Sequence, residues 1–420
     1  MRFSTLFRMT LATVVASLIA TLAFAQSEGE AQQDKVSERE KERVLTAMER
    51  VITRMAYVPG VDFGEWPTMI EEYREQIDEA TTRGEFVTEV NRALQNFGFS
   101  HIVLFSPQSA QRRFQQEMVG IGVRIQQEEN GIRVVRVFED GAAAKEGVRV
   151  GDLLFEADGK PIRGPLDLAG EEGEPVTVKI NRDGEILEKT LVRKKFSLII
   201  PEELKWVEDN VAHLIVPSFD VSYDRKRLQG FIAEANDAEM IILDLRGNGG
   251  GRVANLLHLA SFFLHREEPL GTFIDRTMEA KYLEDTGEEA KDIFAIAEWS
   301  TQKVRPLKRN IEPFDGEIVV LVDGASASAS EMMAAALRDH RGAQIIGSRT
   351  AGAVLASMMQ RLVNGYLLQF PLTDYVTLSG LRIEGNGLEP SIAAPPHRFG
   401  EPDNGVEQAL KWFNNRRVAA

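Results

Sequence analysis

The feature that most restricts how this chain can fold is a serine-rich turn between an apolar run and an alanine-rich segment, within residues 316–353. The apolar run from Ile318 to Val322 predicts a buried strand, and the segment from Glu331 to Arg338 has high helix propensity. A serine between a strand and a helix lies where unpaired backbone N–H groups and the helix dipole favour negative charge. Acyl transfer needs that environment, because its tetrahedral intermediate places an oxyanion beside the nucleophile.

The same residues also have a purely structural interpretation. Ser328-Ala-Ser-Glu331 matches the capping box S-x-x-E, in which the serine only satisfies a backbone amide of the first helical turn. An isolated S-x-x-E is typical of a cap, so the rest of the chain has to distinguish the two interpretations.

Composition narrows the class of protein. The chain has 420 residues, 43% of them hydrophobic, which is enough for a large core and two or three domains. Its net charge is −15, and no basic run with interleaved aromatics is present, which argues against nucleic-acid binding. Cysteine is absent, so the chain has no disulfide, no thiol nucleophile and no cysteine for a lipid anchor.

The N-terminus predicts export. Arg2 and Arg8 precede an apolar run from Met9 to Phe24, which ends in Ala23-Phe24-Ala25, and this order is typical of a signal peptide over residues 1–25. The alternative is an uncleaved membrane anchor, although the run is short for a bilayer span. We therefore expect a periplasmic or secreted protein that contacts a membrane only through an uncleaved signal segment.

Hydrophobic patterning divides the remainder into four parts. Residues 26–118 form a polar tether and a helical domain that ends in a short strand, Ile102 to Phe105. Residues 119–197 contain short strand-like runs separated by turns, with one short helix over 142–146. Residues 198–400 alternate strands and helices and include a charged, irregular surface insertion over 267–315, and residues 401–420 form a C-terminal amphipathic helix.

A glycine-rich loop follows one of the core strands. Arg246-Gly-Asn248-Gly-Gly-Gly251 comes after the run EMIILDL and before a helix expected over Val253 to Leu264. Neither the phosphate-loop nor the dinucleotide-binding pattern is satisfied. Free amides at Gly249 and Gly250 could donate to an oxyanion, and the alternative is a tight turn in which the glycines only supply positive φ.

The β-rich part resembles a PDZ domain of the type carried by exported proteases, on the strength of Gly120-Ile-Gly122 and the later EDGAAAKEGVRVGDLLFEADGKPI. That resemblance implies peptide binding at Gly120, Ile121, Gly122 and Val123, through the loop amides and the strand edge. The segment GPLDLAGEEGEPV, however, leaves room for little more than one turn of the helix that usually flanks the peptide groove.

Several motifs in fixed order carry a wider resemblance. DLRGNGGG, GASASASE, GSRTAG and IEGNGLEP, behind a PDZ-like domain and a helical segment, resemble the carboxyl-terminal processing (tail-specific) serine peptidase family. The resemblance implies an α/β fold with a crotonase/ClpP-like peptidase core, an N-terminal helical segment and an inserted PDZ-like domain. It also implies Ser328 as nucleophile, with the amides of Ala329 and of the glycine loop, chiefly Gly250, as oxyanion donors.

The chain departs from that family at the catalytic lysine. Most members place a lysine 25 residues after the serine, and Ala353 stands there in this chain. The tricorn-like branch of the family lacks the lysine and uses a Ser-His pair with a late glutamate. Ser100 and His101 match that pair and Glu384 matches the glutamate, so the resemblance implies a Ser/His/Ser/Glu relay with His101 as general base.

These expectations combine into one hypothesis and one alternative. The hypothesis is an exported serine endopeptidase that cleaves polypeptides, with some selection near their C-termini, and that needs no metal or organic cofactor. The alternative is a catalytically inactive protein that binds a peptide or another ligand on the same scaffold. A homo-oligomer is compatible with both.

Overall fold

The architecture was obtained as a computed structural model that describes residues 35–115, 117–128, 130–397 and 400–419. The predicted signal peptide and most of the polar tether therefore lie outside the described residues. Within the described ranges, no helix combines the length and apolar character needed to span a bilayer.

The N-terminal part is helical, as predicted, and ends in a strand. Ser37 caps the first helix by accepting from Glu40 N, and Thr82 and Glu85 form a capping box at the fourth. Val44, Met48 and Ile52 recur on one face of the first helix and are fully buried. The elements are α1 (Glu38–Met55), α2 (Trp66–Glu71), α3 (Arg74–Glu79), α4 (Arg83–Gln95), β1 (Val103–Phe105) and α5 (Pro107–Gln115).

The β-rich part has its own sheet and its own core. Five strands pair in the order β3-β4-β5-β7-β8, with β6 paired to β5, around buried residues such as Val134, Leu154 and Ile180. A separate two-stranded ribbon, β2 with β9, lies at the two ends of this part. The elements are β2 (Glu117–Gly120), β3 (Val123–Glu128), β4 (Gly131–Val137), α6 (Ala142–Lys145), β5 (Leu153–Ala157), β6 (Lys160–Pro161), β7 (Pro175–Arg182), β8 (Glu185–Val192) and β9 (Lys194–Ser197).

The α/β core is a six-stranded sheet in the order β10-β11-β12-β14-β15-β18, parallel except for the edge pair β10–β11. Alternate residues of β12 enter different cores, with Ile241 and Leu243 on one face and Met240 and Ile242 on the other. The helix after the glycine loop ends at Ala260, earlier than the sequence predicted. The elements are β10 (Glu203–Glu208), β11 (Val211–Ile215), α7 (Arg225–Glu234), β12 (Met240–Asp244), α8 (Val253–Ala260), β14 (Glu317–Val322), α11 (Ala329–Arg341), β15 (Gln344–Gly347), β18 (Ile392–Ala393) and α12 (Asn404–Ala419).

A second sheet joins the N-terminal part to the core and corrects the expectation for residues 267–315. This segment is not irregular: β13 (Gly271–Asp275) pairs with β17 (Leu367–Thr377), and α9 (Arg276–Thr286) and α10 (Ile293–Trp299) follow it. The strands β1 and β16 (Ala356–Arg361) also pair with β17. Charge along 267–315 concealed these elements, because α9 has no buried residue and therefore no apolar stripe.

Candidate active site

The three serines of the serine-rich turn differ in their burial and in their hydrogen bonds. Ser326 and Ser330 are fully buried and donate from their hydroxyls to Leu245 O and Asn248 O, both at 2.8 Å. Ser328 is only half-buried and immediately precedes α11, with φ 56° and ψ −115°. Positive φ at a non-glycine residue is strained, and such strain is concentrated at functional sites. Of the three serines, Ser328 is therefore the candidate nucleophile.

The glycine-rich loop lies directly against Ser328. A Cβ atom added to Gly250 would lie 2.7 Å from the Ser328 Cβ and 2.8 Å from Ala327 O, so only glycine fits this position. Asn248 is fully buried and ties the two loops together, because its carbonyl accepts from Ala327 N (3.1 Å) as well as from Ser330. Asp323 forms a second tie by accepting from Gly247 N at 3.0 Å.

The candidate oxyanion donors differ in their hydrogen bonds. The Gly250 N–H donates to Asn248 Oδ1 at 2.9 Å. The Gly249 N–H has no hydrogen-bond acceptor within the described residues. Ala329 is the first residue of α11, where a backbone N–H has no acceptor inside the helix. Among the described residues, the N–H groups of Gly249 and Ala329 therefore have no acceptor, whereas the N–H of Gly250, the amide favoured from the sequence, is bonded to Asn248.

Glu331 is a buried acceptor that contacts the backbone of Ser328. Its carboxylate accepts from Ser328 N (3.0 Å), Gly352 N (2.8 Å) and Ala353 N (2.9 Å), and from the Thr350 hydroxyl. Burial raises the pKa of Glu331, and the four hydrogen bonds oppose that rise. The capping-box glutamate therefore does more than cap α11, because it fixes residues 350–353 to the serine turn.

Ser100, His101 and Glu384 form a continuous hydrogen-bonded set. The Ser100 hydroxyl is 2.6 Å from His101 Nδ1 and donates to Glu384 Oε2 at 3.0 Å, while Ser100 N donates to Glu384 Oε1 at 2.7 Å. His101 has φ 61°, a second strained backbone in this region. Glu384 is 4% exposed; burial raises its pKa, hydrogen bonds from Ser100 and Val354 lower it, and Asp374 raises it further.

Three consecutive amides connect these two halves. Gly352 N and Ala353 N donate to Glu331, and the next amide, Val354 N, donates to Glu384 Oε2 at 2.8 Å. Because neighbouring residues are only about 3.8 Å apart, this segment holds the serine turn and the His101 set close together. Ala353, in the place of the family's lysine, is part of that segment.

The remaining histidines have other surroundings. His213 Nε2 lies 3.0 Å from Asp244 Oδ2 inside the sheet, and both side chains are buried. His258 bonds to the Tyr223 hydroxyl at 2.9 Å, and burial together with nearby arginines lowers its pKa to about 4. His340 Nε2 contacts Pro269 O at 2.7 Å, and His265 and His397 are exposed.

The predicted peptide-binding loop has a rigid frame and an open strand. Ile121 O accepts from Ala143 N at 2.7 Å and Gly122 O accepts from Phe138 N at 3.0 Å. Gly122 has φ 81°, and a Cβ there would lie 2.5 Å from Gly141 Cα. Among the strands described, β3, which begins at Val123, pairs only with β4, and its other edge is open. The helix that usually flanks the peptide groove of a PDZ domain is reduced here to one 3₁₀ turn, Pro165–Leu168, as the sequence predicted.

Sequence reasoning missed the residues that fix the loops. Asn248, Asp323 and the Asp244–Arg246–Asp403 network hold the glycine loop, with Arg246 bonded to Asp244 and to Asp403 at the start of α12. The sequence signal for these residues was an acidic residue or an asparagine at or shortly after the end of a buried strand. Their hydrogen-bond partners, however, lie far away in the chain, so the sequence did not identify the network.

The comparisons agree with this architecture. Residues 210–394 match Peptidase family S41 and residues 119–191 match the PDZ domain family. A carboxy-terminal-processing protease of Bartonella bacilliformis is 31% identical over 66% of this chain and 61% of its own length. A probable CtpA-like serine protease of Staphylococcus haemolyticus is 28% identical over 67% of this chain and 54% of its own length. The chain thus spans about half to three-fifths of the length of these relatives.

Solved structures share the fold. The photosystem II D1 C-terminal processing protease superposes with a TM-score of 0.51 at 21% identity and covers 89% of this chain and 98% of its own. The tricorn protease superposes with a TM-score of 0.54 at 14% identity over 90% of this chain and 37% of its own. Residues 210–394 thus belong to Peptidase family S41 and follow a PDZ domain on an α/β core, and in this order of domains the chain resembles the carboxyl-terminal processing serine peptidases.

Proposed function

We propose that this protein is an exported serine endopeptidase that cleaves polypeptides through an acyl-enzyme, with Ser328 as nucleophile and His101 as general base. The observation that carries the proposal is the hydrogen-bonded set of His101, Ser100 and Glu384, joined to the serine turn by the amides of residues 352–354. A buried acid–hydroxyl–imidazole chain has a clear use if the imidazole must carry a positive charge during a reaction.

The hydrogen bonds define the tautomer of the base. An ionised Glu384 only accepts, so the Ser100 hydroxyl donates to it and must accept from His101 Nδ1–H. Nε2 is then the nitrogen without a proton, and it takes the proton from Ser328 as the hydroxyl attacks the peptide carbonyl. The imidazolium returns this proton to the leaving amine, and a water molecule activated in the same way releases the acyl group. The mechanism requires Nε2 to reach the Ser328 hydroxyl directly or through one water when substrate binds.

The oxyanion donors in this proposal are the amides of Gly249 and Ala329. Gly250 contributes the close approach of the glycine loop to Ser328, because its own N–H is bonded to Asn248. Two fixed backbone donors, one of them at the N-terminus of α11, would stabilise the tetrahedral intermediate without any reorganisation of the protein.

Substrate selection is assigned to the PDZ domain. The open edge of β3 can accept a peptide as an added strand, and the amides of Gly120, Ile121 and Gly122 can point at a terminal carboxylate. This supports a preference for cleavage near C-termini, in line with the name of the Bartonella relative. The segment over residues 1–25 supports export.

The decisive experiment is covalent labelling of Ser328 by a serine-directed phosphonate, located by peptide mass spectrometry. We expect His101→Ala to slow labelling by about 10²- to 10⁴-fold, the usual contribution of a general base. His397→Ala is the matched control, because that histidine is exposed and lies outside the set. Equal labelling of the wild type and His101→Ala would contradict the relay.

Ala353 favours one second candidate, a ligand-binding protein without activity, because the lysine of the more common dyad is missing. This candidate predicts no labelling of Ser328, no cleavage of a panel of unfolded proteins, and saturable binding of a peptide. Labelling that depends on His101 excludes it.

A further inference from the structure

One face of α1 carries a stripe of arginines. Arg39, Arg43, Arg50 and Arg54 are exposed and are separated by four, seven and four residues, so a helix of 3.6 residues per turn places them on one side. That side is opposite the buried face formed by Val44 and its neighbours. The stripe extends over about 22 Å at 1.5 Å per residue.

These arginines have no carboxylate partner among the described residues. Three of the four glutamates of α1 pair with other cations: Glu38 with Lys41, Glu40 with Arg83 and Glu42 with Arg74. The fourth, Glu49, precedes Arg50 and therefore lies about 100° around the helix from it. Many other arginines of the described chain are ion-paired, including some that are well exposed, such as Arg349 with Glu389. A concentrated positive stripe on a chain of net charge −15 therefore creates a local field opposite in sign to that of the whole molecule.

The stripe borders a groove between α1 and the end of β16. Two adjoining cavities of about 270 and 440 Å³ share Ala47, Arg50 and Val363. Arg43 lines the first cavity, and Arg54 and Arg361 line the second. The only acidic residue lining either cavity in the described chain is Glu42, which Arg74 neutralises. We call this site the arginine groove; its apolar parts are Ala47, Val51, Leu362 and Val363.

The shape and the neighbouring strand indicate what kind of anion fits. The site is a shallow, open groove with apolar residues between the cationic ones. The strand that ends in the groove, β16, pairs only with β17 among the described strands, so its outer edge is open to an extended chain. The same strand begins just after the segment 352–354 that links Glu331 and Glu384.

We propose that the arginine groove binds an extended, acidic segment of a polypeptide partner, with carboxylates on Arg43, Arg50 and Arg54 and apolar side chains between them. The guanidinium groups can form bidentate hydrogen bonds with carboxylates. The apolar residues between them can bury apolar side chains of the partner, which favours a segment that alternates acidic and apolar residues. The arginine groove lies at the end of β16 that is farther from residues 352–354. Peptide binding in the groove does not depend on a reaction at Ser328.

The test is binding of a fluorescein-labelled 12-residue peptide that alternates glutamate and leucine, followed by fluorescence anisotropy with the full chain carrying Ser328→Ala. We expect saturable binding that weakens as NaCl is raised from 50 to 500 mM, because exposed ion pairs are screened. The double variant Arg43→Glu/Arg50→Glu should bind at least about tenfold more weakly, since reversal removes attraction and adds repulsion. Arg43→Lys/Arg50→Lys keeps the charge but loses the bidentate hydrogen bonds, so its affinity should fall between those of the wild type and the double reversal.

Matched controls separate the groove from general charge effects. Arg149→Glu makes the same exchange at an exposed arginine of the PDZ domain and should leave binding unchanged. Unchanged binding by the double reversal, or equal binding of a peptide with glutamine in place of glutamate, would overturn the proposal. So would binding of phosphatidylglycerol vesicles that depends on Arg43 and Arg50 when the peptide does not bind. Circular dichroism establishes that each variant is folded.

Discussion

Gly249 and Gly250 are neighbours in the chain, yet the space around them differs completely. An added Cβ at Gly250 meets Ser328 and Ala327 at under 3 Å and has to accommodate φ 90°, whereas an added Cβ at Gly249 meets nothing within 4 Å. Neighbouring positions of the site therefore differ strongly in their tolerance of a larger side chain, and exchanges at Gly249 and Gly250 test this difference directly.

The exchange Gly250→Ala should damage the site while Gly249→Ala should not. We expect Gly250→Ala to cost about 1–3 kcal/mol of unfolding free energy through backbone strain and to slow phosphonate labelling of Ser328 strongly. Gly249→Ala keeps its N–H and should stay close to wild type in both measurements. Chemical denaturation and labelling kinetics check this, and equal behaviour of the two variants would show that the close contact at Gly250 is unimportant.

The free energy of unfolding should be far more sensitive to an exchange of Glu331 than to the same exchange at its counterpart in α4. Glu331 is fully buried and accepts four hydrogen bonds, so Glu331→Gln would turn an NH₂ group toward buried donors and cost about 2–4 kcal/mol. Glu85 occupies the same capping-box position in α4 but is exposed, so Glu85→Gln should change stability little. Urea unfolding measures both; similar losses would mean that Glu331 acts only as a helix cap.

Among the secondary structure elements, the start of α12 is tied to the glycine loop through a buried ionic network. Arg246 bonds to both Asp244 on β12 and Asp403, and Asp403 also accepts from Gly405 N at the N-terminus of α12. A helix at the very end of the chain therefore helps to hold the loop that faces Ser328.

This network should make stability depend on acid pH. Burial alone would raise the pKa of Asp244, but hydrogen bonds from His213 and Arg246 outweigh it and lower the pKa to about 2. A lowered pKa means that the stabilisation is present above the unfolded value near 4 and is lost as pH falls toward 2. That loss amounts to about 2 kcal/mol.

Asp244→Asn gives the corresponding measurement. It should destabilise the protein by about 3–5 kcal/mol at pH 7, because it leaves Arg246 buried with one partner fewer. The gap between wild type and Asp244→Asn should then narrow as pH falls from 4 to 2, as followed by urea unfolding at each pH. A gap independent of pH would show that folding does not lower the pKa of Asp244.

On the scale of the whole molecule, the helical part and the peptidase core share buried residues, whereas the PDZ domain does not. The helical core contains Leu368 and Phe370 of β17 and the preceding Tyr366, but the PDZ core consists only of its own residues. The contacts between the PDZ domain and the core include the partly exposed pair Arg136–Glu203, which contributes little to stability.

An exchange that creates a cavity in the PDZ core should therefore destabilise only that domain, whereas one in the helical core should destabilise the second sheet as well. Ile180→Ala should cost about 2–5 kcal/mol within the PDZ domain and leave labelling of Ser328 intact, since Ile180 is buried only there. Phe370→Ala should cost about 3–5 kcal/mol and loosen both α1 and the second sheet. Hydrogen exchange with mass spectrometry resolves this, and faster exchange throughout α11 in Ile180→Ala would refute independent cores.

The sequence by itself determined the local structures and their order. Apolar runs, glycine and serine turns and helix propensity are properties of neighbouring residues, so the strand–turn–helix around Ser328, the PDZ strands and the short flanking turn at Pro165–Leu168 were predictable. Ser100, His101 and Glu384 were selected from a resemblance, without any knowledge of where they would lie.

Only the tertiary structure decided which atoms meet. Ser100 and Glu384 are 284 residues apart, and their contact depends on β1 pairing with β17 and on three amides that no local pattern identifies. The same holds for the hydrogen bond that occupies Gly250, for the four donors around Glu331 and for the groove beside Arg50. Such contacts are fixed by packing across the whole chain, because a side chain's partners are set by which distant elements its backbone brings within about 3 Å.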